Sequence, residues 1–349
     1  MSVMHVLSSF HFGLRGYSEK VFAEVLGYSK RNLTKLDVMQ TFYVLMNKYF
    51  PRPGTKPYLF NSTSTILVKR ELELIPAFKH LAEGFFQVPY TVIGAKDSAR
   101  ETFKRLNKWV ATRTNNRFKY IMDDIRSSEE VIALNVIYFK SAWKYKFSPY
   151  ENSAEIFYNR GMINKAKEIP MMFMMHSLKH YSSTYHRILE LPLKNQKLNM
   201  YIFLPKSIDG IYETEVDLER SVTEDLPKMQ RTNMTVYIPK FEFQSSAYLS
   251  KCFYGLNGMK SFKPDPDDLS AMFRNKYSSL GELYHKTYMD VTEEGFDIPL
   301  NSSKTPSLSV WTRKSMLFKV THPFVFVIRD PGTQIILFIG RVYELFAKV

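Results

Sequence analysis

An α+β fold follows from the way apolar residues are spaced along this chain, with helices crowding the first third and strands filling the rest. Up to about residue 112 the apolar side chains recur at helical spacing, whereas from Val131 onward they come in short continuous or alternating runs. A long segment rich in Ser, Thr, Asn and Pro, from Phe296 to Lys314, breaks that second pattern; a loop of such length inside a compact domain is usually functional or disordered.

In chain order, Val3, Val6, Leu7 and Phe10 form a helical stripe that Gly13 to Gly16 stops. A short helix is predicted from Ser18 to Leu26, and another from Leu36 to Tyr49, closed by Pro51-Arg-Pro-Gly54. Leu72 to Phe86 is amphipathic and reads as helix despite Pro76. Between Asp97 and Thr112, Ser98 and Glu101 have capping-box spacing, and Phe103, Leu106 and Val110 line one face.

Val131 to Phe139 is continuously apolar, as suits a strand buried on both faces. Ile188–Leu191, Leu198–Leu204 and Thr235–Ile238 follow, with Asn195-Gln196 as a hairpin turn between the first two. Tyr284 to Val291 is strand-like. Phe324–Ile328 and Gln334–Ile339 flank a turn at Asp330-Pro-Gly332.

The 349 residues carry a formal charge of +14, but the basic residues are scattered, which points to a basic surface rather than a nucleic-acid tail. Apolar runs are too short to cross a bilayer. The single cysteine, Cys252, excludes an internal disulfide and reads as a small buried hydrophobe. Motifs for a nucleophile elbow, a phosphate loop, a dinucleotide fold or an H-E-x-x-H zinc site are absent, so no enzyme activity and no cofactor are expected. His176 and His180 have i, i+4 spacing with His186 as a third candidate, but they stand in a turn-rich stretch, and no metal site is expected.

Several blocks, in order, resemble the serpin family. They are Leu106-Asn-Lys-Trp-Val110 with Thr114–Arg117; Leu134-Asn-Val-Ile-Tyr-Phe-Lys140 with Trp143 and Phe147; Leu189–Pro192; Leu198–Pro205; Ile238-Pro-Lys-Phe241; His285-Lys286 with Asp290-Val-Thr-Glu-Glu-Gly295; and His322-Pro-Phe324 with Leu337–Val342. The resemblance implies one domain over residues 1–349, with three β-sheets, about nine helices and an exposed reactive loop at 296–314. It also implies a mechanism: a protease attacks the loop, forms an acyl-enzyme, and is trapped when the cut loop inserts into the largest sheet as a new strand.

The match begins partway into the family's second helix, so the family's first helix and first short strand have no counterpart in this sequence. By resemblance, Asn135, Trp143 and His285 belong to the cluster where the sheet opens. Of the two hydroxyls that usually partner the Asn–His pair, Ser2 can supply one, and the other would precede Met1.

The hinge departs from the inhibitory pattern. Glu293-Glu294-Gly295 is followed by Phe296, Asp297, Ile298, Pro299 and Leu300 where small residues are usual. Bulky side chains in a packed sheet cost about 1–3 kcal/mol, and Pro299 would remove a ladder hydrogen bond. Two functions therefore stay open: a serine-protease inhibitor, or a non-inhibitory serpin with a carrier, storage, chaperone-like or binding role. The scissile region is expected within Leu308, Ser309, Val310, Trp311, Thr312, Arg313 and Lys314. Partners expected are a serine protease (or a cysteine protease) and a sulfated polysaccharide, the latter at Lys104, Arg105 and Lys108, with no nucleic acid, no membrane and a monomeric state. Sequons at Asn32, Asn61, Asn233 and Asn301 are glycosylation candidates, Asn233 the least suited because it abuts a strand. Secretion is expected from the family, although no signal peptide is visible in this chain.

Overall fold

The computed structural model describes residues 1–49, 59–93, 99–114, 116–118, 120, 131–194, 197–249, 266–274, 280–296 and 315–346. Among them are six α-helices: α1 (Ser2–Gly13), α2 (Gly16–Val25), α3 (Lys35–Tyr49), α4 (Pro76–Phe86), α5 (Ala99–Arg113) and α6 (Ile211–Arg220). The strands are β1 (Leu59–Lys69), β2 (Tyr90–Ile93), β3 (Val131–Ala142), β4 (Ser148–Tyr158), β5 (Ala166–Ser182), β6 (His186–Pro192) and β7 (Asn199–Pro205). They continue with β8 (Gln230–Pro239), β9 (Phe241–Tyr248), β10 (Leu280–Thr292), β11 (Gly295–Phe296), β12 (Met316–Lys319), β13 (Phe324–Arg329) and β14 (Ile336–Val342). The chain forms two compact units, one of Met1, Lys140–Glu242 and Met289–Val349, the other of Ser2–Phe139 and Phe243–Tyr288.

The second of these units packs helices on a sheet. In it β1 runs parallel to β2, and β3 parallel to β10 from Val131↔Leu280 to Tyr138↔Tyr288. The unbroken apolar run of β3 has a direct cause. Val131 and Ala133 pack with Val6, Phe10 and Phe86 in one cluster, while Ile132, Leu134, Val136 and Tyr138 join Leu106 and Val110 of α5 in another. Helix α1 is buried almost all round, and its serines find internal partners: Ser8 Oγ meets Tyr28 Oη at 2.5 Å and Ser9 Oγ meets Tyr90 Oη at 2.9 Å. Helix α4 begins at Pro76, later than the predicted Leu72. Proline suits the first helical position, where its missing N–H would have no partner, and it costs far more inside.

The other unit is built on β12-β8-β5-β6-β7-β13-β14, with β4 paired to β5. The second and third of the three expected sheets are joined here, because the 17-residue β5 pairs with β4 and β8 over most of its length and with β6 at its end. Ile188, Phe203, Val325 and Val327 form its core with Ile211 and Leu218 of α6. Asp330 Oδ1 accepts from the N–H groups of Gly332 and Thr333, which fixes the turn before β14. One expectation is corrected: His176 and His180 lie not in turns but within β5. At about 3.4 Å per residue, i and i+4 on a strand are too far apart to share one metal ion.

Candidate functional site

At the far end of β3, the strand β10 turns back on itself through Glu293-Glu294 and continues as β11. Thr292 pairs with Gly295 and Val291 with Phe296, and on its other side β11 pairs with β3 as Gly295↔Ala142 and Phe296↔Ser141. The first two residues after the turn are therefore already a strand, antiparallel to both neighbours. Gly295 is required there: its φ is +141°, and a Cβ would sit 2.1 Å from the Ser141 carbonyl oxygen.

Phe296 is fully buried, with its ring centroid 4.8 Å from that of Trp143. Trp143 also packs edge-on against Phe147 and donates its Nε1–H to the Thr292 carbonyl at 2.8 Å. The Phe296 ring thus lies against Trp143, at the point where the chain leaves the described residues. Trp143, assigned by sequence to the cluster of Asn135 and His285, makes these contacts with the hinge.

The turn is clamped by charge. Glu293 is 1% exposed, pairs with Lys240, and accepts from Asn152 Nδ2 at 2.6 Å. The more open Glu294 pairs with Lys146 at 2.5 Å. The backbone joins in: Trp143 N–H donates to Glu294 O and Phe147 N–H to Glu293 O.

Along the directly paired part of β3 and β10, Asn135 and His285 stand opposite each other. Asn135 Oδ1 accepts from Ser2 Oγ at 3.0 Å and from His285 Nδ1 at 2.7 Å, and Asn135 Nδ2 donates to Ser64 Oγ at 2.8 Å. Thr287 Oγ1 meets His285 Nε2 at 2.9 Å, so the neutral imidazole is satisfied on both nitrogens. Burial pushes the His285 pKa down to about 4. The second hydroxyl, expected from chain preceding Met1, is supplied by Ser64 of β1.

Among the described residues, His186, Asp217 and Asp225 could together offer ligand atoms to a metal. The site is already balanced. The Arg220 Nη2 donates to Asp217 at 2.6 Å and to Asp225 at 2.9 Å, and Ser221 Oγ lies 2.9 Å from His186 Nε2.

Asp297, Ile298, Pro299, Leu300, the whole scissile region from Leu308 to Lys314, and Asn301 lie outside the described residues, as does Cys252. Asn32 is exposed in a left-handed turn, Asn61 falls within β1, and Asn233 is half-buried in β8. Lys104, Arg105 and Lys108 are exposed on α5. Ser64, Thr287, Asn152 and Lys146 carried no signal in the sequence. Lys240 stood inside the Ile238-Pro-Lys-Phe241 block, whose spacing marks a strand but not an ion pair.

Within the described residues, a strand-turn-strand ends in a buried Phe296, and an Asn–His pair joins β3 to β10. The chain belongs to the serpin family: the family model described as serpin (serine protease inhibitor) matches residues 1–345. It is 27% identical over 354 residues to intracellular coagulation inhibitor 1 of Tachypleus tridentatus, covering 99% of this chain and 82% of that protein. It is 30% identical over 305 residues to serpin B3 of Homo sapiens, covering 85% and 73%. Among solved structures, the insect serpin Serpin48 of Tenebrio molitor superposes with a TM-score of 0.84 at 22% identity, over 99% of this chain and 90% of that one. Human thyroxine-binding globulin in complex with its hormone superposes with a TM-score of 0.85 at 16% identity, over 98% and 90%. Family membership does not carry secretion with it, since one of these relatives is named as intracellular. No helix among the described residues is long and apolar enough to cross a membrane.

Proposed function

We propose that this serpin is a serine-protease inhibitor that works as a suicide substrate, with residues 296–314 as the bait loop of a single functional domain. The observation that carries this reading is β11. A strand antiparallel to β3 and β10 already stands between them, and it holds the bulky hinge side chain without leaving it exposed. Extending β11 along the same direction requires the β3–β10 ladder to part, including the Asn135–His285 bond, and each new pair would restore ladder hydrogen bonds on both sides.

The test is to mix the protein with chymotrypsin-like and trypsin-like serine proteases and look for a complex that survives SDS. Trp311 and Leu308 suit the first pocket type, Arg313 and Lys314 the second. A covalent complex together with a large rise in melting temperature after loop cleavage is expected. A second reading, a non-inhibitory serpin, is favoured by the bulky hinge with Phe296, Ile298 and Leu300, and by Pro299, because a proline three residues beyond Phe296 removes a ladder donor. Clean cleavage, with no complex and no gain in melting temperature, would establish that second reading.

A further inference from the structure

A cavity of about 400 Å³ opens between the end of α1, the start of α3 and the start of α4. Its walls are Phe12, Ile75, Phe78 and Leu81, and its polar edge is Arg15 and Lys35. That volume lies in the ordinary range for small-molecule sites, roughly 300–1,000 Å³.

The walls are held in place before any ligand arrives. The Arg15 N–H donates to Asp268 O at 2.8 Å and the Ile75 N–H to Met272 O at 2.9 Å. Gly13 is packed so closely that a Cβ would fall 2.1 Å from the Met272 side chain. Phe78 is stacked on Phe12 at 6.0 Å and set edge-on to Tyr90 at 5.4 Å.

The charge at the edge is unbalanced. Lys35 Nζ and Arg15 Nη1 both donate to one carbonyl oxygen, that of Leu14, so two cations are held side by side. Among the described residues, one carboxylate answers them: Glu19, 2.9 Å from Lys35. The carboxylate of Asp268 is turned instead onto the Ser18 N–H, at 2.8 Å. Burial lowers the Lys35 pKa; Glu19 offsets part of that, and Arg15 adds to it. An apolar cavity with one surplus cation at its rim matches a ligand with an apolar body and a single anionic head.

We infer that this cavity binds an amphipathic monoanion of the fatty-carboxylate kind, its head on Arg15 beside Lys35 and its chain against Phe12, Ile75, Phe78 and Leu81. The probe is sodium dodecanoate, titrated calorimetrically below its micelle concentration. Saturable one-to-one binding is expected, with methyl dodecanoate binding at least about tenfold more weakly for want of the charged head. Arg15→Gln should weaken dodecanoate by about tenfold or more, and Ala77→Trp, at the mouth, should abolish it. Arg15 and Ala77 are both exposed, so melting temperatures should be unchanged and binding losses can be assigned to the site. Arg341→Gln removes an equal charge far along the chain and should leave the affinity as it is. Non-saturable uptake by the wild type, unchanged binding in Ala77→Trp, or equal weakening by Arg341→Gln and Arg15→Gln would each overturn the proposal.

Discussion

The strands β3 and β10 are held by two different chemistries along their length. From Val131 to Tyr138, β3 pairs with β10 directly, and Asn135 and His285 are hydrogen-bonded side chain to side chain at 2.7 Å. Beyond Lys140 the neighbour of β3 is β11, and what fills that place is a phenylalanine ring against a tryptophan. The first contact is directional and can titrate; the second is apolar burial, which cannot. The pairing of these two strands thus has one contact sensitive to protonation and one sensitive only to shape.

The largest expected effect comes from the apolar contact. Phe296→Ala should destabilise the protein by about 3–5 kcal/mol in denaturant unfolding, since a fully buried ring is lost with its cavity left behind. It should also speed proteolysis of the adjoining loop. A loss near zero would mean that the hinge leaves the sheet in solution, and the contrast between the two ends would collapse.

The polar contact should respond to acid. Burial lowers the folded pKa of His285, His5 and His11 to about 4 from an ordinary 6.5, opposed at His5 by its bond to the Phe86 carbonyl and reinforced at His11 by Lys35. The folded state binds fewer protons than the unfolded one between those values, so stability rises with pH across the window. Stability is full above pH 6.5 and is lost as the pH falls through 4, by at most about 3 kcal/mol for each histidine. Unfolding free energy measured from pH 7 to pH 4 should show this slope, shallower in His285→Gln and unchanged in Phe296→Ala. An equal slope in His285→Gln would remove that histidine from the account.

The smallest effect concerns the clamp on the turn. Lys240→Met leaves the buried Glu293 with Asn152 alone and should cost about 1–3 kcal/mol. Lys146→Met, beside the more open Glu294, should cost less than about 1 kcal/mol in the same unfolding assay. Equal losses would show that burial does not distinguish the two glutamates.

Much of this was legible in the residues. Val131 to Phe139 announced a strand covered on both faces, and the two clusters that share its alternate residues explain why. Pro76 was read through in predicting a helix from Leu72, although a proline suits only the first helical position, and α4 starts there. The His176–His180 stretch was misread because adjacent methionines and aromatics have no clear period, and only hydrogen bonding to β4 and β8 makes β5 a strand of that length.

Sequence by itself determined the α+β class, because periodicity and turn chemistry are local properties of the chain, and its ordered motif blocks pointed to the family. It could say that Phe296 is bulky and that Gly295 is free to turn. What lies opposite depends on residues 153 positions away at Trp143, and on Ser64 and Ser2 meeting around Asn135. Those meetings were decided by tertiary packing, since a side chain's pattern records that it will be buried but not the partner against which it will be buried.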